Sequence, residues 1–146
     1  MKELLYSTGD TWTGLILRIT AGMIMLPHGA QKMFGLFGGF GFSATVNFFT
    51  ETMKLPWLIA VMVIVIEFFG AIGLIIGIGT KIWAAGFIAV MLGAIMTTNY
   101  PHGFFMNWFG TQQGEGFEYH LLVIGICLAL MISGGGKYSA DTLIAY

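Results

Sequence analysis

Long unbroken apolar runs separated by short polar joints dominate the chain. They occupy about Trp12 to Leu26, Trp57 to Ile78, Ile82 to Thr98 and Phe117 to Ser133. Backbone groups in hydrocarbon must be satisfied internally, so membrane spans are helices or closed barrels. A barrel would show segments of ~10 residues alternating in polarity, a pattern absent here. A helical span needs about 20 mostly apolar residues at 1.5 Å each. The pattern therefore predicts four spans, at about 12–27, 57–78, 82–98 and 117–133, the first extending past Pro27. The expected fold is all-α: an integral membrane, antiparallel four-helix bundle formed by residues 1–146 as one domain. Asp10 and Arg18 interrupt the amino-terminal stretch, so the first span is expected to be retained rather than cleaved as a signal.

The joints differ in kind. Gly29–Pro56 is too long for a tight hairpin and begins with the glycine–phenylalanine stretch Phe34 to Phe42, expected to be irregular. Ser43 then reads as an N-cap. Val46, Phe49 and Met53 fall on one helical face, opposite Asn47, Glu51 and Lys54, which predicts a short interfacial helix between spans one and two. Spans two and three are joined by Gly79-Thr80-Lys81 as a hairpin, and Asn99–Gly116 forms a second long connection. Both long connections then lie on one side and both termini on the other. Lys2, Lys81 and Lys137 on the terminal side, against Lys32 and Lys54, point to cytoplasmic termini in a cell (inner) membrane.

Composition agrees. Apolar residues make up 57% of the chain, and about 72% with glycine included, against roughly 45–50% in soluble domains. Charged residues make up 9%, against a usual ~25%, which excludes a water-soluble globular enzyme. Mean hydropathy is +0.85. A net charge of −1 leaves no basic surface for nucleic acid. Cys127, the single cysteine, precludes intrachain disulfide and dithiol chemistry. Small residues recur at four-residue spacing: Gly73 and Gly77; Ala85, Ala89 and Gly93; Gly125, Ala129 and Ser133. Such stripes allow close helix approach, here read as intrachain packing, with a homo-oligomer as the alternative.

Two charges, Arg18 and Glu67, fall deep within apolar spans, where a lone charge costs about 3 kcal/mol or more. Counting ten residues from His28 and from Trp57 puts both about 15 Å below one side. Equal depth and opposite sign predict an ion pair. It is either a structural register lock or the charged floor of a polar cavity. Further polar residues gather on the side of the long connections: His28 and Lys32 at helical spacing, His102 and Asn107 from the second connection, and Glu118, Tyr119 and His120 opening span four.

No HxxH or HxxxH pair supports a metal, no nucleophile elbow supports a hydrolase, and no phosphate-binding glycine motif follows a strand. A quinone suits the set better. Its ring needs an apolar cleft, and its two oxygens need donors that also exchange protons.

These residues resemble the DoxX family of small four-helix membrane proteins. The matching positions are Arg18, Gly22, His28-Gly29, Lys32 and Gly35; then Glu67, Gly70, Leu74, Gly77 and Thr80-Lys81; then Asn107-Trp108, Gly116, Glu118-Tyr119, Gly134, Gly136, Ser139 and Asp141. Lys81, where relatives often carry arginine, and Tyr138-Ser139-Ala140-Asp141 depart from the family pattern. The resemblance implies a membrane subunit linked to quinone oxidoreductases, handling quinone or small sulfur compounds beside a redox partner subunit in the lipid bilayer. It does not make every member an enzyme. The expected site is Arg18, His28, Lys32, Glu67, His102, Asn107, Glu118, Tyr119 and His120, without metal. Arg18, Glu67, His28 and Lys32 are the catalytic candidates. A non-enzymatic scaffold or small-molecule carrier of the same fold is the alternative.

Overall fold

The computed structural model describes residues 6–145, and every regular element among them is helical. Helix α1 (Trp12–Phe34) begins where the Thr11 side chain accepts the Gly14 N–H and ends at Gly35, whose φ is +74°. After a 3-10 turn at Leu36–Gly38 comes α2 (Phe42–Asn47), which widens into a π-helical turn at Phe48–Thr52. Helix α3 (Trp57–Ile76) contains a second π-helical turn at Ile66–Gly70. Helix α4 (Thr80–Ala94) continues through a π-helical turn at Ile95–Asn99 and a 3-10 turn at Tyr100–His102. Helices α5 (Glu118–Ser133) and α6 (Asp141–Ala145) follow.

The long helices α1, α3, α4 and α5 pack side by side, α1 touching α3 and α5, and α4 touching α3 and α5. Their shared core holds Met25, Leu74, Ala84, Phe87, Cys127 and Leu130. A smaller cluster of Val46, Ala60 and Ile64 fastens α2 to α3. Val46 is buried and Phe49 and Met53 half-buried, while Asn47, Glu51 and Lys54 are exposed, as the amphipathic pattern requires. One end of the molecule joins the start of α1 to the end of α5 through Gly9 N–H to Ser133 O at 3.3 Å. At the same end, Asp141 N–H donates to Gly77 O at 2.8 Å, tying α6 to the α3–α4 turn. The connections over residues 35–56 and 103–117 lie at the opposite end.

Among the described residues, Trp57–Ile76 and Thr80–His102 are long and apolar enough to cross a membrane, and Glu118–Ser133 is apolar but shorter. Helix α1 has the length but is interrupted by Arg18, His28 and Gln31.

Several expectations change. The first helix extends past Pro27, as expected, but further than the bound at 27 suggested: Pro27 is exposed and α1 runs on to Phe34, about 10 Å further at 1.5 Å per residue. Ser43 is not an N-cap, because Gly41, at φ +79°, opens α2 and its carbonyl accepts from Thr45 N–H. The α3–α4 turn is Gly77-Ile78-Gly79 rather than Gly79-Thr80-Lys81, because Gly77 and Gly79 supply the left-handed φ values of +78° and +65° that reverse the chain. Gly73 and Gly77 do pack within the chain, against Trp83 and Ser139. Ala85, Ala89, Gly93 and Gly125 do not: they are exposed, because α4 turns Ala84, Phe87 and Met91 inward instead. Lys2, counted for orientation, lies outside the described residues.

Candidate functional site

Two polar clusters sit at opposite ends of the helices. At the end that joins α1 to α5, Arg18 is 2% exposed and all its donors are engaged by backbone carbonyls. Nε donates to Gly135 O at 2.8 Å, and one terminal nitrogen donates to Leu74 O at 3.1 Å and to Ile75 O. The other donates to Lys137 O and Tyr138 O, each at 3.1 Å. A guanidinium has five N–H donors, and these five contacts use them. Gly14 makes room for this arrangement, since a Cβ there would stand 2.7 Å from Gly136 Cα. Asp141 beside it is buried and accepts from Gly79 N–H at 2.6 Å and Thr80 N–H at 3.0 Å, capping α4 across the chain. Asp141 and Ser139 belong to the motif read from sequence, but spacing alone assigned them no role.

The expected Arg18–Glu67 pair therefore does not form. The continuation of α1 past Pro27 slides its register along α3. Gly22 meets Ala71 and Ile75, and Gly29 meets Glu67 and Phe68. Glu67 thus lies level with the last turns of α1, and Arg18 with the end of α3. The depth count failed because His28 and Trp57 are not at one level.

At the other end Lys32 replaces Arg18 as the partner: its Nζ donates to Glu67 Oε2 at 2.5 Å. The local cause is legible in both helices. A Cβ on Gly29 would stand 2.5 Å from Phe68 Cα, so glycine lets α1 lie directly on α3, and Lys32 follows one turn later over Glu67. The π-helical turn at Ile66–Gly70 carries Glu67, and such bulges recur at functional sites.

Lys32, Glu67, His28, Tyr119 and His120 border one cavity of about 260 Å³. The rings of His28 and Tyr119 are 6.1 Å apart, and those of Tyr119 and His120 5.5 Å. The Tyr119 hydroxyl donates to Met25 Sδ at 3.3 Å. Nδ1 of His120 is buried without a hydrogen-bond partner. Met25, Met91 and Met106 supply soft apolar wall, and Asn99 and Glu115 complete it. Spacing did not single out these lining residues, although Met25, three positions before His28, shares its helical face.

The remaining expected site residues are placed elsewhere. His102 packs against Gly114 within the 103–117 connection. Asn107 braces the same segment, donating to Gln112 O at 3.1 Å and accepting from Gln112 N–H at 3.0 Å. Glu118 accepts from Met106 N–H at 2.9 Å and Trp108 Nε1–H at 3.0 Å. None of the three lines the cavity: Asn107 and Glu118 bond to Gln112, Met106 and Trp108 within that connection, and His102 lies against Gly114. Among the described residues, no three of His, Cys, Asp and Glu gather closely enough to hold a metal ion.

The cavity can give hydrogen bonds to a small polar group from an ammonium, imidazoles and a phenol. Its carboxylate and imidazoles can also take up and release protons.

The profile of the DoxX family matches residues 13–100, which include His28, Lys32 and Glu67. A protein of Bacillus subtilis (strain 168) named "Putative oxidoreductase CatD" is 32% identical over 116 residues, covering 80% of this chain and 76% of that one. No solved structure matches.

Proposed function

The chain belongs to the DoxX family, and from that premise we propose that it is a redox-associated membrane subunit binding a quinone-like molecule in the Lys32–Glu67 cavity. In this reading α1, α3, α4 and α5 all span the cell membrane as an antiparallel bundle. The termini are read as cytoplasmic, which Lys81 and Lys137 at the terminal end favour over Lys54 opposite, Lys32 being paired with Glu67. The observation that carries the proposal is an ion pair between buried Glu67 and half-buried Lys32, inside a cavity that also holds two histidines and a tyrosine. Intramembrane charges are costly and usually mark function. The name of the Bacillus relative favours redox chemistry over a purely structural role.

The cavity fits a quinone head. At about 260 Å³ it lies just below the ~300–1,000 Å³ range of small-molecule pockets, which suits one ring-sized group. Quinone oxygens accept hydrogen bonds. Lys32, Tyr119 and the unpartnered His120 Nδ1 are groups able to supply them, while methionine sulfurs offer polarizable contact to a flat ring. A bound quinone would supply two-electron, two-proton redox capacity. The chain's own part is to orient the ring, hold the Lys32 ammonium in place through Glu67, and exchange protons at His28 and His120. Electrons would come from a partner subunit, because the buried Cys127 has no second cysteine to form a dithiol couple.

The test uses detergent-purified protein: solvent extraction for co-purified quinone, then titration with a tail-less benzoquinone. We expect recovered quinone and saturable binding, weakened about tenfold or more in Lys32→Met and His120→Phe. No extracted quinone and no binding would leave the scaffold reading.

A further inference from the structure

We propose that the groove formed by the end of α1, the glycine–phenylalanine connection and α2 holds the hydrocarbon tail of the molecule whose head occupies the Lys32–Glu67 cavity, so that the ligand is a long-tailed amphiphile. This rests on the reading above and adds the ligand's class and its second binding compartment.

The groove has a volume of about 400 Å³. Gly38, Gly39, Phe40, Ala44 and Phe48 form most of its wall, and Lys32 also borders it. Lys32 lines the polar cavity too, so one side chain borders both spaces. That side chain suits a junction. Its four methylenes match apolar contents, and its ammonium is held by Glu67 at 2.5 Å.

The sequence builds this groove from residues lacking bulk. A Cβ on Gly39 would overlap the backbone of Gln31, so glycine seats the connection directly on α1. Gly38, at φ +78°, faces open space, and Ala44 contributes only a methyl. Gln31, the other polar side chain from α1, is occupied by the connection: its Nε2 donates to Phe37 O at 3.1 Å. Large apolar groups stand uncovered at the rim, Phe40 at 86% exposed and Phe48 at 52%. A small polar ligand confined to the head cavity would need no such apolar annex. A head group joined to an alkyl or isoprenoid tail would fill both spaces past Lys32.

The experiment compares a tail-less benzoquinone with one bearing a ten-carbon alkyl chain, in the parent and in Ala44→Trp, by titration in one detergent. Micelle partition of the tail is common to both proteins and cancels in the comparison. Ala44 is exposed and on a surface helix, so the indole is directed at the groove rather than the core. The expected result is loss of about tenfold in affinity for the tailed compound in Ala44→Trp, with tail-less affinity within about twofold of the parent. Phe48→Ala, which removes an exposed wall, should lower tailed affinity in the same selective way. Equal affinities of parent and both variants for the tailed compound would overturn the proposal and assign the groove to bilayer acyl chains. Tail-less binding without any added effect of the tail in the parent would overturn it while sparing the head site. Failure of both compounds to bind the parent would overturn both readings.

Discussion

Arg18 and Lys32 are cations on one helix, yet they face different tasks, and their substitutions should separate. Lys32→Met strands Glu67, 4% exposed, without its partner. Removing one member of a fully buried pair costs about 3–5 kcal/mol. Because about a quarter of the Lys32 side chain remains exposed, the expected loss is about 2–3 kcal/mol. Lys32→Met with Glu67→Leu should recover much of that stability in thermal unfolding while leaving ligand binding abolished. Arg18→Leu removes the donor from five carbonyls, and a loss of about 3–5 kcal/mol is expected from the unmade bonds. Arg18→Lys should recover less than half, since three donors on one nitrogen cannot reach carbonyls spread over α3 and the loop that follows α5. The two sites share no partner, so Arg18→Leu and Glu67→Leu should add without coupling. A coupling energy above about 1 kcal/mol between positions 18 and 67 would restore the pair that depth counting suggested.

At the scale of elements, α4 starts without a local capping side chain, and Asp141 serves that role from the far end of the chain. Asp141→Ala leaves two N–H groups of a buried helix start unpaired, with an expected cost of about 2 kcal/mol or more. Amide exchange should quicken at Gly79 and Thr80 before it does at Ala84 or Phe87; unchanged exchange there would mean the cap is dispensable. Gly29 sets the α1–α3 contact. Gly29→Leu has to part the helices by the Cβ clash with Phe68 and Glu67. It should disrupt binding in the cavity more than Gly93→Leu, where a Cβ meets nothing within 4 Å. Equal loss from both changes would show that generic helix packing, rather than this contact, shapes the cavity.

For the whole molecule, the bundle reading places Ser7 and Thr111 on opposite sides of a membrane. Single cysteines at these positions, introduced with Cys127→Ser, should react with an impermeant thiol reagent from opposite faces of oriented vesicles. Labelling of both from one face would overturn that topology. Ser7 lies beside the α1–α5 junction, where its hydroxyl accepts from Lys81 at 2.9 Å. Thr111 lies in the exposed connection that encloses the cavity.

The four long helices were legible as apolar runs, and the end of the last one followed where its run met Gly134, whereas the α3–α4 turn was placed two residues late because Gly77 was read as part of the span. Such runs force internally bonded backbone, and a left-handed glycine ends it locally. The amphipathic face of residues 46–53 was equally legible, because a 3.6-residue period needs no partner to be seen. His28, Lys32, Glu67, Tyr119 and His120 could be recognised as misplaced polar groups from their surroundings in the chain alone. Which of them meet could not. Pairing depends on how far one helix is slid along another, and that slide was set by α1 continuing through Pro27 and by Gly29 seating on Phe68. Taking His28 and Trp57 as level made Arg18 the expected partner of Glu67 in place of Lys32, which lies 14 residues on, about 21 Å along the axis by helical rise. His102, Asn107 and Glu118 were likewise assigned to the site by side alone. Tertiary structure committed the polar atoms of Asn107 and Glu118 to the 103–117 connection, because backbone groups of an irregular segment need partners first. Sequence thus determined which groups could not be left unpaired, whereas only the packed register decided which group paired with which.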